Sequence, residues 1–178
     1  MTSIDTDHTM LAIKRQFRVE QFYYREAEML DLYQFDEWLE LFTDDTRYWV
    51  PSRVNRMRRD TASSISTHKE FSLFDDDKTT LAWRVRQQGL VTHWAENPRS
   101  RMRHLITNVR VDIAEDGNGL SAKSNFMCYR NRLQDEVDIW VGERQDILVE
   151  IDGALRIASR TVLLDQSMIL SKNLNVFF

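Results

Sequence analysis

The sequence predicts an α+β fold: N-terminal helices packed in the concavity of a long, curved, mainly antiparallel sheet. Three observations predict it. Before Gly89 the apolar residues recur at helical spacing, i, i+3, i+4. From Arg103 to Leu164 they alternate with polar residues, the period of a half-buried strand. The alternating runs are separated only by short turns, Glu115–Gly119, Gln134–Asp135 and Asp152–Gly153, so consecutive strands are antiparallel neighbours. The changeover falls in Arg99–Ile113. Its first half is a basic lead-in, Arg99, Arg101 and Arg103. Its second half is a strand with Leu105, Thr107, Val109, Val111 and Ile113 expected on one face.

In chain order, residues 1–15 are expected to be a loose polar arm. A first helix spans Arg15–Asp31, with Val19, Phe22, Tyr23, Ala27 and Leu30 on its inner stripe. Glu26 lies at the edge of that stripe, where it either pairs with an internal arginine or is solvated. A short helix follows at Phe35–Phe42, with Trp38, Leu39 and Phe42 inward and Asp44–Asp45 ending it. Arg47–Val50 is a short strand stopped by Pro51. Residues 54–74 have no period and read as a long irregular loop, of the kind that covers a partner or a pocket. Asp75–Asp77 offer caps for a third helix at Lys78–Gln88, closed by Gly89. The strands are 103–113, 120–133, 137–151 and 155–164, and Asp152–Gly153 is a tight hairpin signal. Several strands are apolar on both faces: Phe126 opposes Met127, Ile139 opposes Trp140, and Leu163 opposes Leu164. The second face therefore needs a cover. The apolar tail Asn173–Phe178 either tucks under its own sheet or contributes to a subunit contact.

Length and composition set limits. With 178 residues the chain fits one domain, 1–178, able to bury ~70 % of its unfolded surface without staples. A net charge of −4 argues against nucleic acid and anionic membranes. No apolar run approaches a membrane span, and Met1–Lys14 lacks a secretory pattern, so the expected compartment is the cytoplasm. Cys128 is the only cysteine, which excludes a disulfide, a zinc knuckle and a thiolate-held iron–sulfur cluster within the chain. It reads as a buried inert thiol.

Candidate chemistry is sparse. His8, His68, His93 and His104 share no metal-binding spacing, and the chain has no phosphate loop or nucleophile elbow. The arginines of 53–59 and 99–103 read as solvated or partner-facing. One enzymatic reading remains: a free-standing dehydratase or isomerase whose cone mouth gathers Asp45, Tyr48, His68, His93 and His104 as acid–base groups. A small-ligand binding module is a third reading.

Several stretches carry a resemblance. Phe22–Asp31 (FYYREAEMLD), Phe35–Leu39 (FDEWL) and Tyr48–Pro51 (YWVP) resemble the opening of the small (beta) subunit of aromatic-ring-hydroxylating dioxygenases, the Rieske non-heme iron oxygenases. Trp94–Val109 (WAENPRSRMRHLITNV) is similar to that family's central motif. Tyr129–Leu133, Gly142–Asp146 and Asn173–Phe178 resemble in particular the biphenyl and naphthalene branch. The match covers nearly the whole chain from about Val19. Arg99 stands where the family often has a second proline.

The resemblance implies a cystatin-like cone, as in nuclear transport factor 2, scytalone dehydratase and ketosteroid isomerase. It implies a non-catalytic, mainly structural subunit with no cofactor, metal or catalytic residue of its own. The expected partner is a large (alpha) subunit carrying a Rieske [2Fe–2S] cluster and a mononuclear iron, three copies of each subunit together. Electrons come from NADH through a reductase and often a ferredoxin, and the assembled enzyme makes a cis-dihydrodiol. Arg99, Arg101, Arg103, Trp140, Leu174, Val176, Phe177 and Phe178 are the residues expected at subunit contacts.

Overall fold

A computed structural model describes residues 3–53, 65–66, 71–89 and 99–178, with side chains described from residue 7 onward and not at 89. His68, His93 and most of the expected loop after Arg53 lie outside the described residues. The elements run α1 (Ser3–Asp31), α2 (Phe35–Leu39), β1 (Phe42–Pro51), β2 (Ser72–Asp77), α3 (Lys78–Gly89), β3 (Arg101–Ile113), β4 (Leu120–Arg132), β5 (Glu136–Ile151) and β6 (Ala154–Leu164). The strands form one sheet in the order β2-β1-β6-β5-β4-β3, antiparallel except for the β1–β6 pair. No helix among the described residues is long and apolar enough to cross a membrane.

Helix α1 lays its inner stripe on the concave face, burying Val19, Tyr23, Leu30 and, among them, Glu26. It starts well before the expected boundary: the supposed arm continues the helix and exposes Met10, Ile13 and Phe17 on the side away from the core. It stops at Tyr33, whose φ of 60° and paired bonds Tyr33 N–H to Leu30 O and Gln34 N–H to Met29 O form a Schellman cap. Glycine usually fills this left-handed position. Here the tyrosine is held by its hydroxyl, which donates to the Ser100 carbonyl at 2.7 Å, and by its edge contact with Phe35.

Three expectations shift. Asp44 and Asp45 do not end a helix: α2 closes at Leu39 and both lie exposed within a longer β1. β2 was not expected. It forms on β1, where Arg47 clamps Asp75 at 2.6–2.7 Å, while Asp77 does cap α3 through Thr80 N–H. In β3 the register shifts between Thr107 and Arg110, with Asn108 at φ 53°. That bulge divides the expected stripe. Before it His104 and Ile106 face inward and Leu105 outward; after it Val109 and Val111 pack toward the core. β3 is a sheet edge, and α1 screens it: Asp31 accepts His104 N–H at 2.9 Å and Gln16 donates to Val109 O at 2.8 Å. The Asp152–Gly153 hairpin forms as expected, both residues at positive φ.

Candidate functional site

The concave side of the sheet is filled. Trp38, Phe42, Tyr48, Phe126, Trp140, Phe177 and Phe178 pack edge-to-face or tilted at centroid distances of 4.5–6.4 Å. Beneath them is a sealed cluster of charges. On β5 the parity of Trp140 and Leu148 carries Arg144 and Asp146 inward; on β6 the parity of Val162 and Leu164 carries Arg160 inward. Arg160 grips Asp146 with two bonds of 2.7 and 2.9 Å, and also binds both oxygens of Glu26. Arg144 Nη1 donates to Glu26 at 3.0 Å and its guanidinium lies over the Tyr23 ring. Tyr23 Oη donates to Asp146 at 2.9 Å and Trp38 Nε1 to Glu26 at 3.0 Å.

All four charged groups are at most 1 % exposed, and two acids balance two arginines. Burial opposes the Glu26 carboxylate, but Arg160 and Arg144 outweigh it and hold its pKa at about 2. Burial and the neighbouring Asp146 push the Tyr23 phenol up. The cluster is neutral as a whole, although Arg144 Nη2 is buried without a hydrogen-bond partner among the described residues. It fixes α1 on the sheet; its carboxylates are committed to arginines and are not free to serve as a general base.

The C-terminal tail has no regular structure, yet side chains from several elements anchor it almost residue by residue. Arg130 donates to Asn173 at 2.8 Å, Gln88 and Asn175 exchange amide bonds of 2.6 and 3.0 Å, and Arg84 donates to Val176 O at 3.2 Å. Phe178 N–H donates to Tyr48 Oη at 2.9 Å, and Arg160 Nη1 donates to Phe178 O at 3.0 Å. Between these, His104 Nε2 meets Phe177 O at 3.1 Å, while its Nδ1 lies 2.8 Å from Asp31. Burial would lower the His104 pKa; Cys128 and Asp31 overcome it and hold it at about 10. Outside the cone, between α1 and β3, lies a hollow of about 790 Å³ bordered by Tyr24, Arg25, Glu28, Asp31, Arg103 and His104.

The outer face of the sheet is the opposite case. Register places Leu105, Met127 and Val141 side by side across β3, β4 and β5, and Tyr129 beside Ile139 in the next row. Leu105 is 47 %, Met127 39 %, Ile139 47 % and Val141 39 % exposed, whereas Phe126, Cys128 and Trp140 on the other face are 2 % or less. Ordinary one-sided sheets carry polar residues there.

The expected contact residues therefore separate. Arg99, Arg101 and Arg103 are exposed; Arg99 stacks over Tyr33 and Arg103 pairs with Asp31 at 3.0 Å. Leu174 is partly buried. The side chains of Trp140, Val176, Phe177 and Phe178 lie in this chain's own core, at most 3 % exposed, because the tail inserts under the sheet. The acid–base set of the free-standing enzyme reading does not assemble among the described residues: Tyr48 and His104 are buried and occupied by the tail, and Asp45 is exposed on β1. No group of three or more His, Cys, Asp and Glu side chains among the described residues is placed to hold a metal ion.

This architecture has clear relatives. The family described as ring hydroxylating beta subunit matches residues 25–171. The chain is 42 % identical over 170 residues to the benzene 1,2-dioxygenase subunit beta of Pseudomonas putida, covering 94 % of this chain and 91 % of that one. It is 42 % identical over 165 residues to the biphenyl 2,3-dioxygenase subunit beta of Rhodococcus jostii, covering 92 % and 88 %. In fold it is similar to a chain of naphthalene 1,2-dioxygenase with indole bound in the active site, at a TM-score of 0.82 and 24 % identity over 100 % of this chain and 95 % of that one. A putative scytalone dehydratase from Novosphingobium aromaticivorans shares the cone at a TM-score of 0.62 and 14 % identity, over 90 % and 89 %. A cone filled by its own tail and sealed charges, an uncovered outer sheet face and these relatives agree: the chain belongs to the family of beta subunits of ring-hydroxylating dioxygenases.

Proposed function

We propose that this chain is the structural beta subunit of the oxygenase component of an aromatic-ring dioxygenase, and that it organises large subunits which carry the chemistry. The complex adds both atoms of dioxygen to an aromatic ring to give a cis-dihydrodiol. A Rieske centre needs two cysteines and two histidines, and this chain has one cysteine. This chain alone therefore cannot ligate such a cluster, and the reading assigns both the cluster and the mononuclear iron to the large subunit. The reading includes three large and three small subunits in the cytoplasm, with NADH supplying electrons through a reductase and ferredoxin.

The observation that carries it is the row Leu105–Met127–Val141. These residues occupy the outer face of three adjacent strands, while the inner face is already filled by the chain itself. A large subunit seated there would cover the row, and the exposed arginines Arg99, Arg101 and Arg103 would form its polar rim. Trp140, Val176, Phe177 and Phe178 support the sheet from within, with Leu174 packed partly buried against the same core.

Met127→Glu tests this. It places a charge in the centre of the row without touching the core. Expected are a chain whose own unfolding midpoint changes little and a loss of co-purification with the large subunit. Co-purification at the wild-type level refutes the row as the contact.

A further inference from the structure

The turn between β3 and β4 runs Glu115-Asp116-Gly117-Asn118-Gly119, and packing dictates its last residue. Gly119 stands at φ 132° with its backbone against β5: a Cβ there would lie 2.4 Å from the Leu148 carbonyl oxygen. Only glycine fits. Its carbonyl accepts Ala114 N–H at 3.1 Å and closes the hairpin, while its own N–H makes no hydrogen bond among the described residues. The fold thus sets beside Asn118 the one residue type with no side chain to hinder attack by its amide nitrogen. Asn118 itself is exposed to water. Every other asparagine of the chain is followed by Arg, Pro, Val, Phe or Leu.

We propose that Asn118–Gly119 is a self-modifying site, at which the folded chain converts asparagine to isoaspartate with water as co-reactant. The Gly119 nitrogen, once base has taken its proton, attacks Asn118 Cγ. The N–Cγ bond forms, the Cγ–Nδ2 bond breaks, and Nδ2 leaves as ammonia with the proton that base returns. Water then opens the cyclic imide. Breaking the N–Cγ bond gives aspartate. Breaking the bond from nitrogen to the Asn118 carbonyl carbon gives isoaspartate, whose main chain runs through Cβ and Cγ and is one carbon longer. Nothing is oxidised or reduced. Gly119 cannot absorb the extra carbon, because Leu148 and Ala114 N–H hold it on both sides. The lengthening falls on the turn, where Gly117 N–H donates to Ala114 O at 2.8 Å and Asn118 N–H to Asp116 Oδ1 at 2.9 Å. The new carboxylate also joins Glu115 and Asp116. This end of the hairpin therefore frays, whereas the Leu105–Met127 pair lies well away from it along the same strands. The site goes beyond the assembly role and does not depend on it.

The test incubates the full wild-type chain under native conditions, with the chain unfolded in urea as reference, and follows the tryptic peptide Val111–Lys123 by mass. Asn118 is that peptide's sole amide side chain, so the mass gained when OH replaces NH2 reports it alone; isomerisation at Asp116–Gly117 adds no mass. Electron-transfer fragmentation then locates the isoaspartate. Expected is isoaspartate at 118 in the folded chain, formed faster as pH rises, up to about tenfold per pH unit with the ionised fraction of the Gly119 amide. Ala114 N–H should exchange with solvent severalfold faster in this form than in Asn118→Asp, which carries the same charge on a chain of normal length. The proposal is overturned if the folded chain keeps its asparagine, whether or not the unfolded chain does, or if aspartate is the sole product. It is equally overturned if Ala114 exchanges no faster in the isoaspartate form than in Asn118→Asp.

Discussion

Replacing Glu26 by Gln keeps the shape of the side chain and removes one of two negative charges from a sealed cluster of two acids and two arginines. The folded protein holds this carboxyl at about 2, against 4.5 for an ordinary glutamate. A depression of that size corresponds to roughly 3 kcal/mol in favour of the ionised form. The amide resembles the protonated acid and leaves Arg144 and Arg160 with one formal partner, Asp146. The expected loss is therefore ~3 kcal/mol, the lower end of what breaking one side of a buried pair costs. For a chain of this size that is about 6–12 °C in Tm. Urea unfolding of the full chain at neutral pH, with the slope m unchanged, measures it. Folded Glu26 binds its proton more weakly than unfolded Glu26 does. Its contribution is thus complete above about 4.5 and fades as pH falls through about 2. Glu26→Gln should flatten that part of the acid limb. A loss below about 1 kcal/mol at neutral pH, or an unchanged acid limb, refutes the claim that this cluster fixes α1 to the sheet.

The other expectations are simpler. Phe177→Ala removes a ring packed on Trp38 and Phe35 and under the Arg84 guanidinium, and should cost about 3–5 kcal/mol; a change under about 1 kcal/mol means the tail is not docked. His104 is held at about 10, above its ordinary 6.5, so its contribution is complete below about 6.5 and is lost as pH rises through about 10. Wild-type stability should fall over that window, and the fall should shrink in His104→Gln.

Much of this architecture is legible in the sequence where the periodicity is clean. The α1 stripe, the four long C-terminal strands and the Asp152–Gly153 turn all follow from spacing alone. The outer apolar face is legible for the same reason, since Met127 beside Phe126 and Ile139 beside Trp140 cannot both point inward. The charge cluster is less legible. Arg144, Asp146 and Arg160 read as surface residues by type, and only their parity with Trp140, Leu148 and Val162 marks them as inward. Glu26 falls at the edge of the inner stripe, but its arginine partners lie more than a hundred residues away. The β3 bulge at Asn108 changes the parity within a strand, which a period of two cannot reveal. β2 exists through its pairing with β1, not through a pattern of its own. The tail has no period at all; side chains from β1, α3, β3, β4 and β6 decide its path.

The most direct test of the account is the mass and metal content of the natively assembled protein. The account predicts that this chain co-purifies with a larger, iron-bearing subunit, that iron and the Rieske signal follow the larger chain after the two are separated, and that ring dihydroxylation requires the complex. Iron bound by this chain alone, or turnover of a small ketone or alcohol by the isolated chain, would contradict it.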